Sequence, residues 1–152
     1  MSKIDWDDSF NINNAEIDNQ HKKWIEIYND MHDKMSDESS NEFDSIAINA
    51  LTKMLDYVRY HFKTEEAYMD RIDYPDIVEH VRKHKDFDTR IYQMNRDLQA
   101  GKIILNTEIL SIIKDWLIDH ILSDDIKLGL YAAAKRMPQP AVTSFLTPGY
   151  DG

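Results

Sequence analysis

The chain contains no cysteine in 152 residues, which excludes disulfides, iron–sulfur clusters and thiolate metal sites and suits a reducing compartment. Glycine and proline are scarce, with four of each, and three of the prolines follow Met137. Little therefore interrupts helix before that point. Basic residues are also few: 18 against 28 acids leave a formal charge of −10. That deficit argues against nucleic acid or an anionic membrane surface as partner, since both need basic patches. The acidity reads as solvation of helix faces. No apolar run approaches the ~20 residues that cross a bilayer, and MSKIDWDDSF has neither the basic nor the apolar region of a secretory signal. A cytoplasmic location is the expectation. With 42% hydrophobic residues, a chain of this length can bury the core of one domain without staples.

Histidine, by contrast, is present in a pattern. Five of the six, His21, His61, His80, His84 and His120, fall at spacings that also gather Glu65 and Asp125. Residues four apart on a helix project from one face, so His61 with Glu65, and His80 with His84, each aim a pair of ligands at one point. His120 and Asp125 are five apart and diverge more, and meet the same point if the helix loosens after His120 or if the carboxylate arm reaches across. Two roughly octahedral metals offer about twelve positions. Five imidazoles, two bridging carboxylates and one bridging oxygen fill about eleven of these, so one stays open for a small molecule. Imidazole with carboxylate suits iron, manganese, nickel or zinc. A single structural zinc needs only about four ligands and would leave the others unused.

The apolar period marks four helical segments. The first runs from Ala15 to Met35, with Asp18 as an early-turn acid or cap. The second spans about Glu42 to Met69 and stops at R-I-D-Y-P, where Pro75 disfavours helix in the residue before it. The third covers about Asp76 to Gln99, with Gly101 as its stop, and the fourth starts near Asn106 or Thr107 and continues through a distortion to Lys135. Every segment carries a candidate ligand on its apolar stripe. Long helices with short joints predict an all-α protein, an antiparallel up-down four-helix bundle. Residues 1–137 form the bundle, residues 1–14 being an N-terminal arm laid across it, and residues 138–152 form a short C-terminal extension. That tail offers Phe145, Leu146 and Tyr150 to pack back on the bundle or to dock a protein partner. Met31, Met54, Met69 and Met94 read as core filling.

The runs D-N-Q-H-K-K, Y-V-R-Y-H-F-K-T-E-E-A-Y-M, Y-P-D-I-V-E-H-V-R-K-H-K-D-F and W-L-I-D-H-I-L-S-D-D resemble a hemerythrin, specifically a single-domain bacterial hemerythrin, over roughly Trp6 to Lys135. Myohemerythrin, a familiar example of the up-down bundle, belongs to the same family. The resemblance implies two non-haem irons with a bridging oxo or hydroxo group that bind dioxygen reversibly. His80, His84 and His120 would hold one iron and His21 and His61 the other, with Glu65 and Asp125 bridging. The open position would lie on the two-histidine iron. In the arm this chain departs from many bacterial members, reading N-I-N-N-A-E where they carry a glycine.

A carrier must keep its bound gas dry, because water or a proton source leaves ferric iron behind. Trp24, Phe62 and Leu117, each close to a ligand in sequence, are the candidates for an apolar oxygen pocket. The chain has no E-x-x-H pair of the kind that carboxylate-rich di-iron oxidising enzymes repeat. Reversible binding for transport, storage or delivery, by a monomer and without catalysis, is therefore the leading expectation. The alternatives are an oxygen or redox sensor acting through a partner, and a di-iron peroxide or nitric oxide reductase. His32 lies ~16 Å along the helix axis from His21, too far to join the site. Glu66, about 100° round the helix from Glu65, reads as surface.

Overall fold

Three residues with left-handed backbone mark the chain's reversals: Asn13 (φ 63°), Asp73 (φ 55°) and Gly101 (φ 71°). Each stands beside a helix end. The computed structural model describes residues 3–36 and 43–136, and no strand occurs among them. The helices are α1 (Ala15–Ser36), α2 (Phe43–Arg71), α3 (Ile77–Gln99), α4 (Thr107–Asp119) and α5 (Ile126–Arg136). A π-helical turn, His120–Asp125, joins α4 to α5 without a break. Those two thus form one rod, and with α1, α2 and α3 it makes the expected antiparallel four-helix bundle. The tail proposed for 138–152 and the predicted start at Glu42 lie outside the described residues.

Local chemistry sets the ends. At the end of α2 the Tyr74 N–H donates to the Met69 carbonyl at 2.9 Å, closing a reversal through Asp73 two residues before Pro75. Asp tolerates that left-handed conformation because its short side chain bonds locally. At the end of α3, Lys102 N–H donates to Asp97 O (2.8 Å) and Gly101 N–H to Leu98 O (3.1 Å). That pair is a Schellman cap, which needs a positive φ at Gly101. The Asn106 side chain caps α4 by accepting from Ile109 N–H at 3.0 Å. The cap of α1 is Asn14, which accepts from Ile17 N–H at 3.1 Å. Asp18 sits in the first turn as expected but does not cap. Its buried carboxylate reaches back to accept the Ile12 N–H at 2.9 Å.

That bond fixes the arm. Asn13 supplies the turn with a left-handed backbone (φ 63°). Upstream, Ile12 crosses α5 at Gly129, where an added Cβ would lie 2.7 Å from the Ile12 carbonyl oxygen. Further along, Asn29 of α1 pairs with the Ile4 backbone in both directions at 2.8 Å. Ile4, Phe10 and Ile12 are buried, and burying each contributes about 1.5–3 kcal/mol as an upper figure. The arm therefore straps α1 to α5, covering apolar surface as predicted.

The interior is layered. A large apolar cluster includes Trp24 and Tyr28 of α1, Leu51 to Phe62 of α2, Phe87 to Leu98 of α3 and Ile109 to Ile121 of the fourth rod. Met31 and Met54 are fully buried in it and Met94 packs on its edge. A small cluster at the other end holds Met69, Tyr74 and Leu128, with Ile77, Val81 and Tyr131 against it. Between the two lie the buried histidines and carboxylates.

Candidate metal centre

Helix geometry delivers the seven candidate ligands to this middle layer from all four rods. His21 comes from α1, His61 and Glu65 from α2, His80 and His84 from α3, and His120 and Asp125 from the π turn. All seven are buried, with His21, His61, Glu65 and Asp125 fully so. The π turn solves the awkward spacing. The Ile126 N–H donates to the Ile121 carbonyl, five residues back, so five residues make one wide turn and His120 and Asp125 come to share a face. The Ser123 hydroxyl donates to the Asp119 carbonyl, supplying that carbonyl with a side-chain partner.

The donor atoms form two groups, Glu65 with His80, His84 and His120, and His21 with His61, Glu65 and Asp125, each able to hold a metal ion. Glu65 divides its oxygens between them. Its Oε1 lies 2.7 Å from His80 Nε2, 3.0 Å from His84 Nε2 and 3.5 Å from His120 Nε2. Its Oε2 lies 3.4 Å from His61 Nε2 and 3.7 Å from His21 Nε2. Asp125 does the same, with Oδ1 at 3.1 Å from His80 Nε2 and 3.2 Å from His120 Nε2, and Oδ2 at 2.9 Å from His21 Nε2. The Nε2 atoms of His84 and His120 face each other at 3.0 Å. Neighbouring ligands of an octahedral ion with bonds of about 2.1 Å stand ~3.0 Å apart, so these separations match ligand edges. His21 Nε2, His61 Nε2, Glu65 Oε2 and both Asp125 oxygens are buried with no aligned hydrogen bond among the described residues. They lie close to one another but are not aimed at one another. Buried polar atoms in that state are costly, and ions in the two groups would between them satisfy all five.

Without metal, protons hold the cluster together. Burial pulls His21 and His80 down, but Asp125 and Glu65 beside them outweigh it and push each up to about 9. Burial likewise opposes His120, whose ring is nevertheless raised by Asp125 and Asp124. Burial would raise Glu65 and Asp125, yet the surrounding imidazoles hold both below the usual carboxylate range. His61 differs: burial dominates and pushes it down to about 3. Its Nδ1 lies 2.8 Å from Gln20 Oε1. The Gln20 amide donates to Thr64 Oγ1 at 3.3 Å, and Thr64 donates onward to the Tyr60 carbonyl. That chain turns the Gln20 oxygen toward His61, so Nδ1 carries the proton and Nε2 is left as a free electron pair.

Sequence reasoning missed three outer partners. Gln20 stands behind His61, Glu66 accepts from His84 Nδ1 at 2.8 Å, and Asp124 accepts from His120 Nδ1 at 2.9 Å. Glu66 is thus not simply surface. Its side chain is two-thirds covered and tied to a ring of the cluster. Each partner is the chain neighbour of a ligand candidate, as Q-H, E-E and D-D, and those doublets were the available signal.

The apolar wall also extends beyond the three residues expected. Phe62 stacks on His84 at 3.8 Å and 5° and approaches His61 at 5.8 Å. Trp24 is fully buried, 5.7 Å from the His61 ring, and Leu117 is fully buried in the large cluster. Trp116, which sequence reasoning left out, stacks on His120 at 4.5 Å and on Phe87 at 4.2 Å. His32 stays outside both groups.

Comparison with known proteins agrees with this geometry. Residues 13–129 match the family model described as the hemerythrin HHE cation binding domain. A bacteriohemerythrin of Stenotrophomonas maltophilia is 31% identical over 126 residues, covering 82% of this chain and 78% of that protein. A hemerythrin-like protein of Naegleria gruberi is 32% identical over 126 residues, covering 83% and 91%. A crystal structure of wild-type hemerythrin superposes with a TM-score of 0.78 at 28% identity, covering 85% of this chain and 97% of that one. The family model spans the arm's last turn to α5 and takes in all seven buried donors, and the chain belongs to the hemerythrin family.

Proposed function

We propose that this protein binds dioxygen reversibly at a pair of non-haem irons, as a carrier or store and not as an enzyme. One observation carries the reading: Glu65 and Asp125 each turn one oxygen toward each of the two donor groups. A carboxylate so placed bridges two ions, and two of them set a pair. On this reading His80, His84 and His120 would hold one iron and His21 and His61 the other, with an oxo or hydroxo group as a shared ligand. Bound there, a ferrous pair supplies two electrons to dioxygen and recovers them on release.

The protein's own part is to hold, orient and keep dry. Gln20 fixes the tautomer of His61, and Glu66 and Asp124 fix those of His84 and His120. The two-histidine position has one imidazole fewer and would leave the open place for the gas. Trp24, Phe62 and Leu117, all buried, exclude the water that would trap the ferric state. The test is to load the protein with ferrous iron in the absence of air, count the metal, and cycle oxygen while recording the visible spectrum. Two irons per chain and a band that appears and leaves support the proposal. Irreversible oxidation on first exposure rejects it.

A further inference from the structure

We infer that the two metal positions differ in affinity by construction: the one bounded by His80, His84 and His120 fills first and keeps its ion longer. The cause is the set of hydrogen bonds behind the rings. This inference rests on the two-metal reading above.

Behind the three-histidine group stand two carboxylates. Glu66 Oε2 accepts from His84 Nδ1 at 2.8 Å and Asp124 Oδ2 from His120 Nδ1 at 2.9 Å. Asp124 is itself held by Lys83 Nζ at 2.7 Å, and Glu66 shares a surface cleft of about 650 Å³ with Arg59, Lys63 and Lys85. Behind the two-histidine group no carboxylate accepts from an outer ring nitrogen among the described residues. His61 Nδ1 meets the neutral Gln20 amide at 2.8 Å, and the buried His21 Nδ1 has no hydrogen bond to any described residue. A carboxylate accepting the outer N–H of an imidazole makes the inner nitrogen a stronger donor and fixes its aim, and losing such a partner costs about 10–100-fold in metal affinity. An amide gives the same aim with less donor strength, and an unsupported ring has neither. Ring count and ring backing therefore favour the same position. Stacking of Phe62 on His84 and Trp116 on His120 holds two of its rings from a further side. The site is thereby assembled in order, with a retained ion against α3 and the fourth rod, and a later, more exchangeable ion against α1 and α2.

The experiment is calorimetric titration of the metal-free full chain with ferrous iron under nitrogen. Two steps of one ion each are expected, the first tighter by at least about tenfold. Glu66→Gln and Asp124→Asn each weaken the first step about 10–100-fold and leave the second in place, and Glu66→Asp restores part of the loss. Gln20→Glu does the reverse, tightening the second step about tenfold and drawing the two together. That gain cannot arise from a damaged fold. Two equal steps in the native chain, or a Gln20→Glu second step that does not tighten, overturns the inference while leaving the two-metal reading intact. Uptake of no ion removes both.

Discussion

Raising the pH of the metal-free protein from 6.5 to 9 is the perturbation that its buried histidines answer most directly. His21 and His80 are raised from 6.5 to about 9 by the carboxylates beside them. Over that interval the folded chain keeps the protons of His21 and His80, and that of His120, which is raised as well, while the unfolded chain has released them. Their contribution is fully present below 6.5 and is lost as the pH rises through about 9. At about 1.4 kcal/mol per pH unit for each proton, the window is worth at most about 3.5 kcal/mol per histidine. Two such groups together approach the ~5–15 kcal/mol that holds a whole domain. His61, pushed down to about 3 by burial, works in the opposite limb: the unfolded chain takes up its proton below 6.5 and the folded chain refuses it. Metal-free stability should therefore peak near pH 6.5 and fall on both sides. Metal reverses the upper limb, because the ion competes with those protons and binds better as they leave. The assay is urea unfolding followed by circular dichroism at fixed pH from 5 to 9.5, with a chelator or with excess ferrous iron under nitrogen. A metal-free midpoint at pH 9 equal to or above that at 6.5 would refute the reasoning.

Other outcomes follow from particular contacts. Gly129→Ala puts a Cβ 2.7 Å from the Ile12 carbonyl oxygen, and the overpacking should cost about 1–3 kcal/mol and loosen the arm. Unchanged urea stability together with a still-protected Ile12 amide in hydrogen exchange would disprove it. Asp18→Ala strips the partner from the buried Ile12 N–H and should cost about 1–3 kcal/mol in the same unfolding assay. Leu117→Gln brings a polar group into the buried wall and should speed conversion of the oxygenated protein to the ferric form. An unaltered rate takes Leu117 out of the pocket. His32→Ala should leave the iron count per chain unchanged, and a lower count would show that the site is wrongly bounded.

How much of this was readable in the chain depends on which face a residue uses. The candidate ligands were legible because they repeat at one-turn spacing on stripes that also bury Trp24, Phe87 and Ile113, and a stripe is a property of sequence alone. The five-residue gap from His120 to Asp125 left open whether the helix widens or the carboxylate reaches across, and the π turn is the answer. Gln20, Glu66 and Asp124 escaped because each lies about 100° off its own stripe, and Gln20 and Glu66 serve rings on other helices. Trp116 escaped for a related reason: it is four residues before His120, while Leu117, three before, drew notice first. Only the packing of α3 against the fourth rod shows which of the two covers the ring. The arm's path turned on Asn13, whose left-handed backbone is one of several that asparagine can adopt.

The seam of histidines and acids between a large apolar cluster and a small one has a consequence for how the molecule opens. Among the described residues the small cluster has only three fully packed apolar members, Met69, Tyr74 and Leu128, and the buried histidines and carboxylates stand between it and the large one. With ions bound at the two donor groups the seam would be a weld, and the bundle should open as one cooperative unit. Without ions the same seam is held by protons on His21 and His80, so above about pH 9 the α2–α3 corner and α5 should lose amide protection before the opposite end does.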